Sequence, residues 1–495
     1  MMNGRIDGLG LLLVLLGGLS VACGDDDESS PPAAACSVAD NAGCGPGLEC
    51  QNVAGGTPAC FCSPSRQTGC SSDPGNELAC EEVPGGNSGC FSPLHVKGKV
   101  FDLSSAAPIA GARVVARDAN NAADSDVAET DAAGNYDLRV PVPRNPDGTP
   151  LSKDVTLRAD AAGYVTFPLA PRVAIPIALE QATGTPLTVA STATEIGMLS
   201  LPDSNGLGAV SGKVLGDNPR GTLVIAGGTS AAGGGVTGVA SGDGSYTVFN
   251  VPAGSVTVRG LKVGLELQSR TADVRAGATT SGIDLTSLGV ATAVVSGKIE
   301  TVNPGAGSDT SVILVAAETF VPNAARGEAP PGLRVAGVNG SFSIDGVPSG
   351  DYVVLAAFEN DFLVRDPDTS IGGTDIVRIT VAGANLAIDQ SFKITGALDV
   401  SAPDKEQVVS GMPVLSFADD SGEDHYELLV FDALGNKIWE NLAVPGVSGA
   451  KNVEVPYAGP ALVSGMIYQF RATSIKNGGT PIARTEDLRG VFLYE

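Results

Sequence analysis

The sequence predicts an all-β protein: tandem antiparallel β-sandwiches behind a small disulfide-rich segment. Three observations lead there. Gly 65 and Pro 32 in 495 residues break long helices and favour short strands joined by turns. A phrase of glycine and lysine between apolar residues recurs as VKGKV (96–100), VSGKV (210–214) and VSGKI (295–299), which marks repeated units. Eight of the nine cysteines fall between Cys36 and Cys90. A chain of this length exceeds one core and divides into about three to five domains, and its 43 % hydrophobic content is enough to build them.

At the N-terminus, Arg5 precedes an apolar run from Leu9 to Leu19 that is too short to span a bilayer and reads as a secretory signal peptide. The residues that follow, LSVAC (19–23), resemble the lipobox of bacterial lipoproteins, in which a small residue precedes a cysteine that is lipidated and becomes the new N-terminus. The resemblance implies that residues 1–22 are removed, that Cys23 carries the lipid, and that the membrane is a partner through this anchor. The cysteine count agrees, because nine is odd and one thiol has no intramolecular partner. Gly24 after the cysteine points to the outer membrane of the cell envelope, on its periplasmic or its surface side. Residues 23–35, rich in acids, serine and proline, form an acidic tether.

The remaining cysteines form two units within residues 36–92: Cys36, Cys44, Cys50 and Cys60, then Cys62, Cys70, Cys80 and Cys90. Each opens C-x7-C and carries Gly-Gly before its last cysteine, in VAGGTPAC and VPGGNSGC. A piece this small cannot bury enough apolar surface to fold unaided, so the cysteines are expected in disulfides. A zinc module is disfavoured, since no C-x2-C pair occurs and the segment has no histidine. The shared spacing predicts pairing inside each unit, which leaves three connectivities by three. The segment loosely resembles small EGF-like modules, which implies no function.

From His95 onward each unit opens on the Gly-Lys phrase and later carries a second one: GNYDLRVP (134–141), GSYTVFNVP (244–252) and GSFSIDGVP (340–348). The glycine suits a turn with positive φ and the aromatic enters a strand. Tyr136 with Leu138, Tyr246 with Val248, and Phe342 with Ile344 lie two apart, on one face assigned to the core. The first unit also holds PIAGARVVA and a longer loop, PVPRNPDGTPLSKD. These phrases resemble the carboxypeptidase regulatory-like domain, a transthyretin-like β-sandwich that does no chemistry itself. The resemblance implies three such sandwiches over residues 95–202, 208–290 and 292–396. In residues 397–495, Leu462, Gly465 and Tyr468 in LVSGMIYQFRA match the corner of fibronectin type III-like, Ig-like domains, where the tyrosine hydroxyl bonds back to the chain.

The chemistry-bearing residues are sparse. A net charge of −25 repels phosphates and excludes nucleic acid as a main partner. His95 and His425 sit in no H-x-x-E pattern, and no G-x-S-x-G occurs, so neither a metallopeptidase nor a hydrolase site is predicted. Ser448 to Lys451 matches S-x-x-K without its companion motifs and reads as a loop, and GGGVTG (233–238) lacks the helix that a dinucleotide needs. Asp118, Asp124, Asp126 and Asp131 fit no calcium loop, so no metal and no cofactor is expected. The expectation is a non-enzymatic envelope lipoprotein: a multidomain surface scaffold or adhesion protein, its ligand a protein or glycan. The alternative is an accessory or assembly factor for a periplasmic or outer-membrane partner. Four sandwiches of about 13 Å radius of gyration each, in file, would reach on the order of 100 Å.

Overall fold

The Gly-Lys phrase and the aromatic phrase of each unit turn out to be cross-strand partners. In the computed structural model Gly98 stands opposite Tyr136, Gly212 opposite Tyr246 and Gly297 opposite Phe342. The ring lies over the bare glycine. A Cβ on Gly98 would come within 2.0 Å of the Thr194 carbonyl and 2.7 Å of the Tyr136 hydroxyl, and one on Gly212 within 2.2 Å of the Ile283 carbonyl. The Tyr136 hydroxyl donates to Thr194 O at 2.6 Å, and that of Tyr246 donates to Ile283 O. Each tyrosine thereby ties its hairpin to the segment that closes its sandwich. Phe342 keeps the ring without the hydroxyl.

The structure describes residues 36–495 except 40, 74–76, 228–235, 303–309, 325, 357–362, 366–375, 421, 448, 450 and 477. The signal peptide, Cys23, the tether and Ser448 therefore lie outside the described residues. One two-sheet plan appears three times. In the first unit Leu94–Asp102 pairs with Asn135–Val140, Thr188–Val189 and Ile196–Met198, facing a sheet built on Arg113–Arg117 and Asp154–Asp160. Leu207–Leu215 and Leu223–Gly227 play the same parts in the second unit, Ala293–Val302 and Thr310–Ala316 in the third. Pairings among the named strands are antiparallel except where a unit's opening strand meets a closing one, as when Ala293–Val302 runs parallel to Leu386–Gly396. The PIAGA turn also has a counterpart in the second unit that its sequence hides. Gly111 N–H bonds Thr130 O, and Gly221 N–H of Asn218-Pro-Arg-Gly221 bonds Ala240 O in the same way, both glycines having positive φ.

The terminal unit sets Val400–Ala402, Val414–Ala418 and Asn452–Pro456 against a six-stranded sheet centred on His425–Asp432 and Ile467–Lys476. Tyr468 is buried there, and its hydroxyl accepts from Val463 N–H at 2.8 Å. Tyr468→Phe strands that N–H, so urea denaturation should show a loss of about 1 kcal/mol with the fold kept.

The four disulfides are Cys36–Cys50, Cys44–Cys60, Cys62–Cys80 and Cys70–Cys90, first to third and second to fourth in each unit. Both units are hairpins whose opposed pairs, Cys50 with Cys60 and Cys80 with Cys90, each reach back to an upstream cysteine. Gly55 and Gly85 supply the positive φ of the hairpin turns.

The sandwiches are not in file, which corrects the expected reach. Residues 310–316 are buried at every position. Val312, Leu314 and Ala316 face their own core, while Ile313, Val315 and Ala317 join a second cluster with Phe320, Ala329, Val353 and Leu355 of the same sandwich and Ala122 of the first. Leu223 and Ile225 of the second sandwich join the third one's core, and Ala433, Ile467 and Val491 of the terminal unit join the first one's. Both faces of these strands are covered, so the units close on one another as a block.

Candidate functional site

The block's centre is built by strands whose outer faces carry charge instead of apolar side chains. Along Asp154–Asp160, Leu157 and Ala159 point into the first sandwich's core, so Arg158 and Asp160 point out, toward the other two sandwiches. Arg158 is 0 % exposed. Its guanidinium grips Asp160 in bidentate fashion at 2.8 and 3.0 Å, donates to Glu328 of the third sandwich at 2.6 Å, and donates to Thr237 O and Oγ1 of the second at 3.1 and 2.8 Å. Burial works against the cation, but Asp160 and Glu328 more than offset it and hold the guanidinium above its usual pKa. Nearby, Arg113 reaches Glu129 of its own sheet together with Val239 O and Ser241 of the second sandwich.

Above this hub opens a cleft of about 500 Å³ between the three sandwiches. Tyr164, Leu169, Leu207, Phe249, Phe320 and Val321 wall it, with Asp160, Glu328 and Thr237 in its floor. Those floor groups are already engaged by Arg158, and Glu318 is paired with Arg259. Arg117 also pairs with Glu328, at 3.6 Å, so the cleft is apolar at its sides and its carboxylates below are matched by Arg158, Arg117 and Arg259. Its size and lining are those of a ligand pocket at a domain interface.

The other residues considered from sequence scatter. His95 Nδ1 sits 2.5 Å from Asp137 Oδ1 on the first sandwich's edge-facing hairpin, and His425 opens a strand of the terminal unit. The four aspartates do not converge on one point. Asp118 Oδ1 accepts from the N–H groups of Asn120 and Ala122, Asp124 pairs with Lys153, Asp126 caps Gly242 N–H, and Asp131 closes the turn before Asn135. The cysteine sulfurs that cluster closely enough for a metal are those of the disulfides.

Sequence reasoning missed Arg158, Glu328 and the cleft. The available signal was the run of apolar residues without alternation in TSVILVA and LVIAG, which belongs to strands covered on both faces. It also missed the use of the long loop in the first unit. Arg144 of that loop is 1 % exposed and donates to Ser92 O, its N–H bonds Glu82 O, and its guanidinium lies 5.8 Å from the Phe91 ring centroid. The loop is the dock for the disulfide segment.

No protein-family model and no curated protein matches the chain. Among solved structures it is similar to the Bacillus anthracis TIE protein, at 11 % identity over 78 % of this chain and 68 % of that one, with a TM-score of 0.15. A DUF3823 family protein from Bacteroides ovatus is 14 % identical over 41 % of this chain and 98 % of its own, TM-score 0.22. The shaft pilin SpaA of Lactobacillus rhamnosus is 10 % identical over 40 % and 96 %, TM-score 0.17. The all-β fold stands on the sheets of this chain.

Proposed function

We propose that the protein is a non-enzymatic scaffold of the cell envelope, held to a membrane through lipid on Cys23 and presenting its sandwiches as one rigid block. The observation that carries this reading is Arg158, which joins three sandwiches through one buried side chain. Catalytic side chains do not converge there; the residues at the centre are paired with one another and serve to hold the sandwiches in place. Four disulfides within residues 36–90 suit an oxidising compartment, as export requires. The regulatory-like and fibronectin-like families are the resemblances this reading adopts, and the cleft above the hub is the face offered to a protein or glycan.

Fractionation of expressing cells tests it. The wild type is expected with the membranes and Cys23→Ser in the soluble fraction, its other eight thiols still oxidised, since stable anchoring needs more than one acyl chain and the serine carries none. Wild-type protein in the soluble fraction would refute the anchor. Protease shaving of intact cells then separates surface display from a periplasmic role.

A further inference from the structure

A second cavity, of about 460 Å³, lies where the disulfide segment and all three repeated sandwiches meet. Its lining is polar. Glu81 and Glu82 come from the disulfide segment, Lys153 from the first sandwich, Arg220 and Lys262 from the second and Arg334 from the third. Asp124 lines it too, so four of the protein's 30 basic residues gather around one cavity with three carboxylates.

Two of these cations are already neutralised: Lys153 pairs with Asp124 at 2.5 Å and Arg334 with Asp118 at 3.9 Å. The other two make no direct ion pair among the described residues. Lys262 Nζ donates to the carbonyls of Asn218 and Arg220, both at 2.7 Å, which places it without giving it a counter-charge. Arg220 is set beside it by the Asn218-Pro-Arg-Gly221 turn, and among the described residues its guanidinium makes no hydrogen bond and no ion pair. Asp126, Asp124 and Glu81 act on Arg220 through space without a hydrogen bond to it: Asp124 is paired with Lys153, while Asp126 and Glu81 accept from the neutral N–H groups of Gly242 and Val142. Glu81 is almost wholly buried at the cavity wall, and its Oε1 has no partner.

We propose that this junction is a binding site for a small oxyanion, a carboxylate, sulfate or phosphate group, clamped between Arg220 and Lys262. A planar guanidinium with all its donors free suits a two-oxygen anion, and the remaining Lys262 N–H supplies a further donor. The cations repel each other when the site is empty. Burial, and then Arg220, hold the Lys262 ammonium down to about 8, the direction expected of a charge still lacking its counter-ion. Because the cavity is shared by four modules, the anion would bear on how they are held together, which goes beyond the scaffold reading and does not depend on the Cys23 anchor.

Thermal melting at constant ionic strength, with glucuronate, sulfate and inorganic phosphate as separate probes, tests the site. A bound anion should raise the melting temperature of the wild type in a saturable way. Arg220→Gln, which removes no hydrogen bond or ion pair among the described residues, should still fold without anion and lose at least tenfold in apparent affinity, whereas the exposed Arg275→Gln should behave as wild type. The probe with the tightest constant distinguishes a sugar acid from an inorganic anion as the source. The proposal is overturned if no probe gives a saturable shift, or if Arg220→Gln responds as the wild type does.

Discussion

Arg158→Met will cost about 3–5 kcal/mol in denaturant unfolding and loosen the three sandwiches from one another. The methionine fills much the same volume, so the loss comes from what is left behind. Asp160 remains as a carboxylate in the interior without a cation, Glu328 keeps only Arg117 at 3.6 Å, and Thr237 O and Oγ1 lose their donor. Adding Asp160→Asn removes the stranded charge and should recover a large share of the loss, an interaction that a double-mutant comparison measures directly, whereas Glu328→Gln would leave the buried Arg117 without its partner. Small-angle scattering gives a second readout. Packed as one body, a chain of this length has a radius of gyration of about 23 Å, against about 40 Å for four units of about 13 Å in file. The wild type should lie near the first value and Arg158→Met should move toward the second. A variant that loses less than about 1 kcal/mol with unchanged scattering would show that the hub does not hold the block together.

The sequence announced what is local and hid what is shared. The glycine-aromatic phrases were legible because each is one turn leading into one strand, whereas the register that sets Gly98 against Tyr136 and Gly212 against Tyr246 was not. The corner tyrosine was legible from three residues within seven, and Tyr468 does bond back to Val463. The candidate site was another matter. Arg158 meets Glu328 across 170 positions and Thr237 across 79, and no periodicity links them. An arginine between Leu157 and Ala159 looks like a solvent-facing strand position, because an alternating strand with a polar outer face has the same pattern whether that face meets water or another domain. What distinguished the two cases was the partner strand. The apolar stretch of TSVILVA has no polar face to give to water, so its outer face needed a cover, and Phe320 and Ala329 of its own unit with Ala122 of the first sandwich provide it.

Glu81→Gln will stabilise the protein at pH 8 and do little at pH 4.5. Glu81 ends the strand Ala79–Glu81 and is 2 % exposed, with Oε2 accepting from Val142 N–H at 2.8 Å and Oε1 unpartnered. Burial pushes its carboxyl up to about 7, against the pull of the Val142 N–H, Arg144, Lys153 and Arg220. The unfolded chain releases this proton near 4.5. Between those two values the folded state holds a proton that the unfolded state has lost, so stability falls as pH rises through the interval. The full penalty, about 3 kcal/mol at most, is reached above pH 7. Glutamine keeps the acceptor for Val142 and never ionises. The variant should therefore exceed the wild type by about 1–3 kcal/mol at pH 8 in urea denaturation, with the gap closing as pH falls toward 4.5. Parallel stability curves over that range would mean that Glu81 titrates as an ordinary exposed carboxylate. Because Glu81 also walls the cavity that holds Arg220, a confirmed penalty would leave the sequence carrying a costly carboxyl where glutamine fits. Such a cost points to a role for the acid in the cavity, and anion titration of the same variant puts that role to the test.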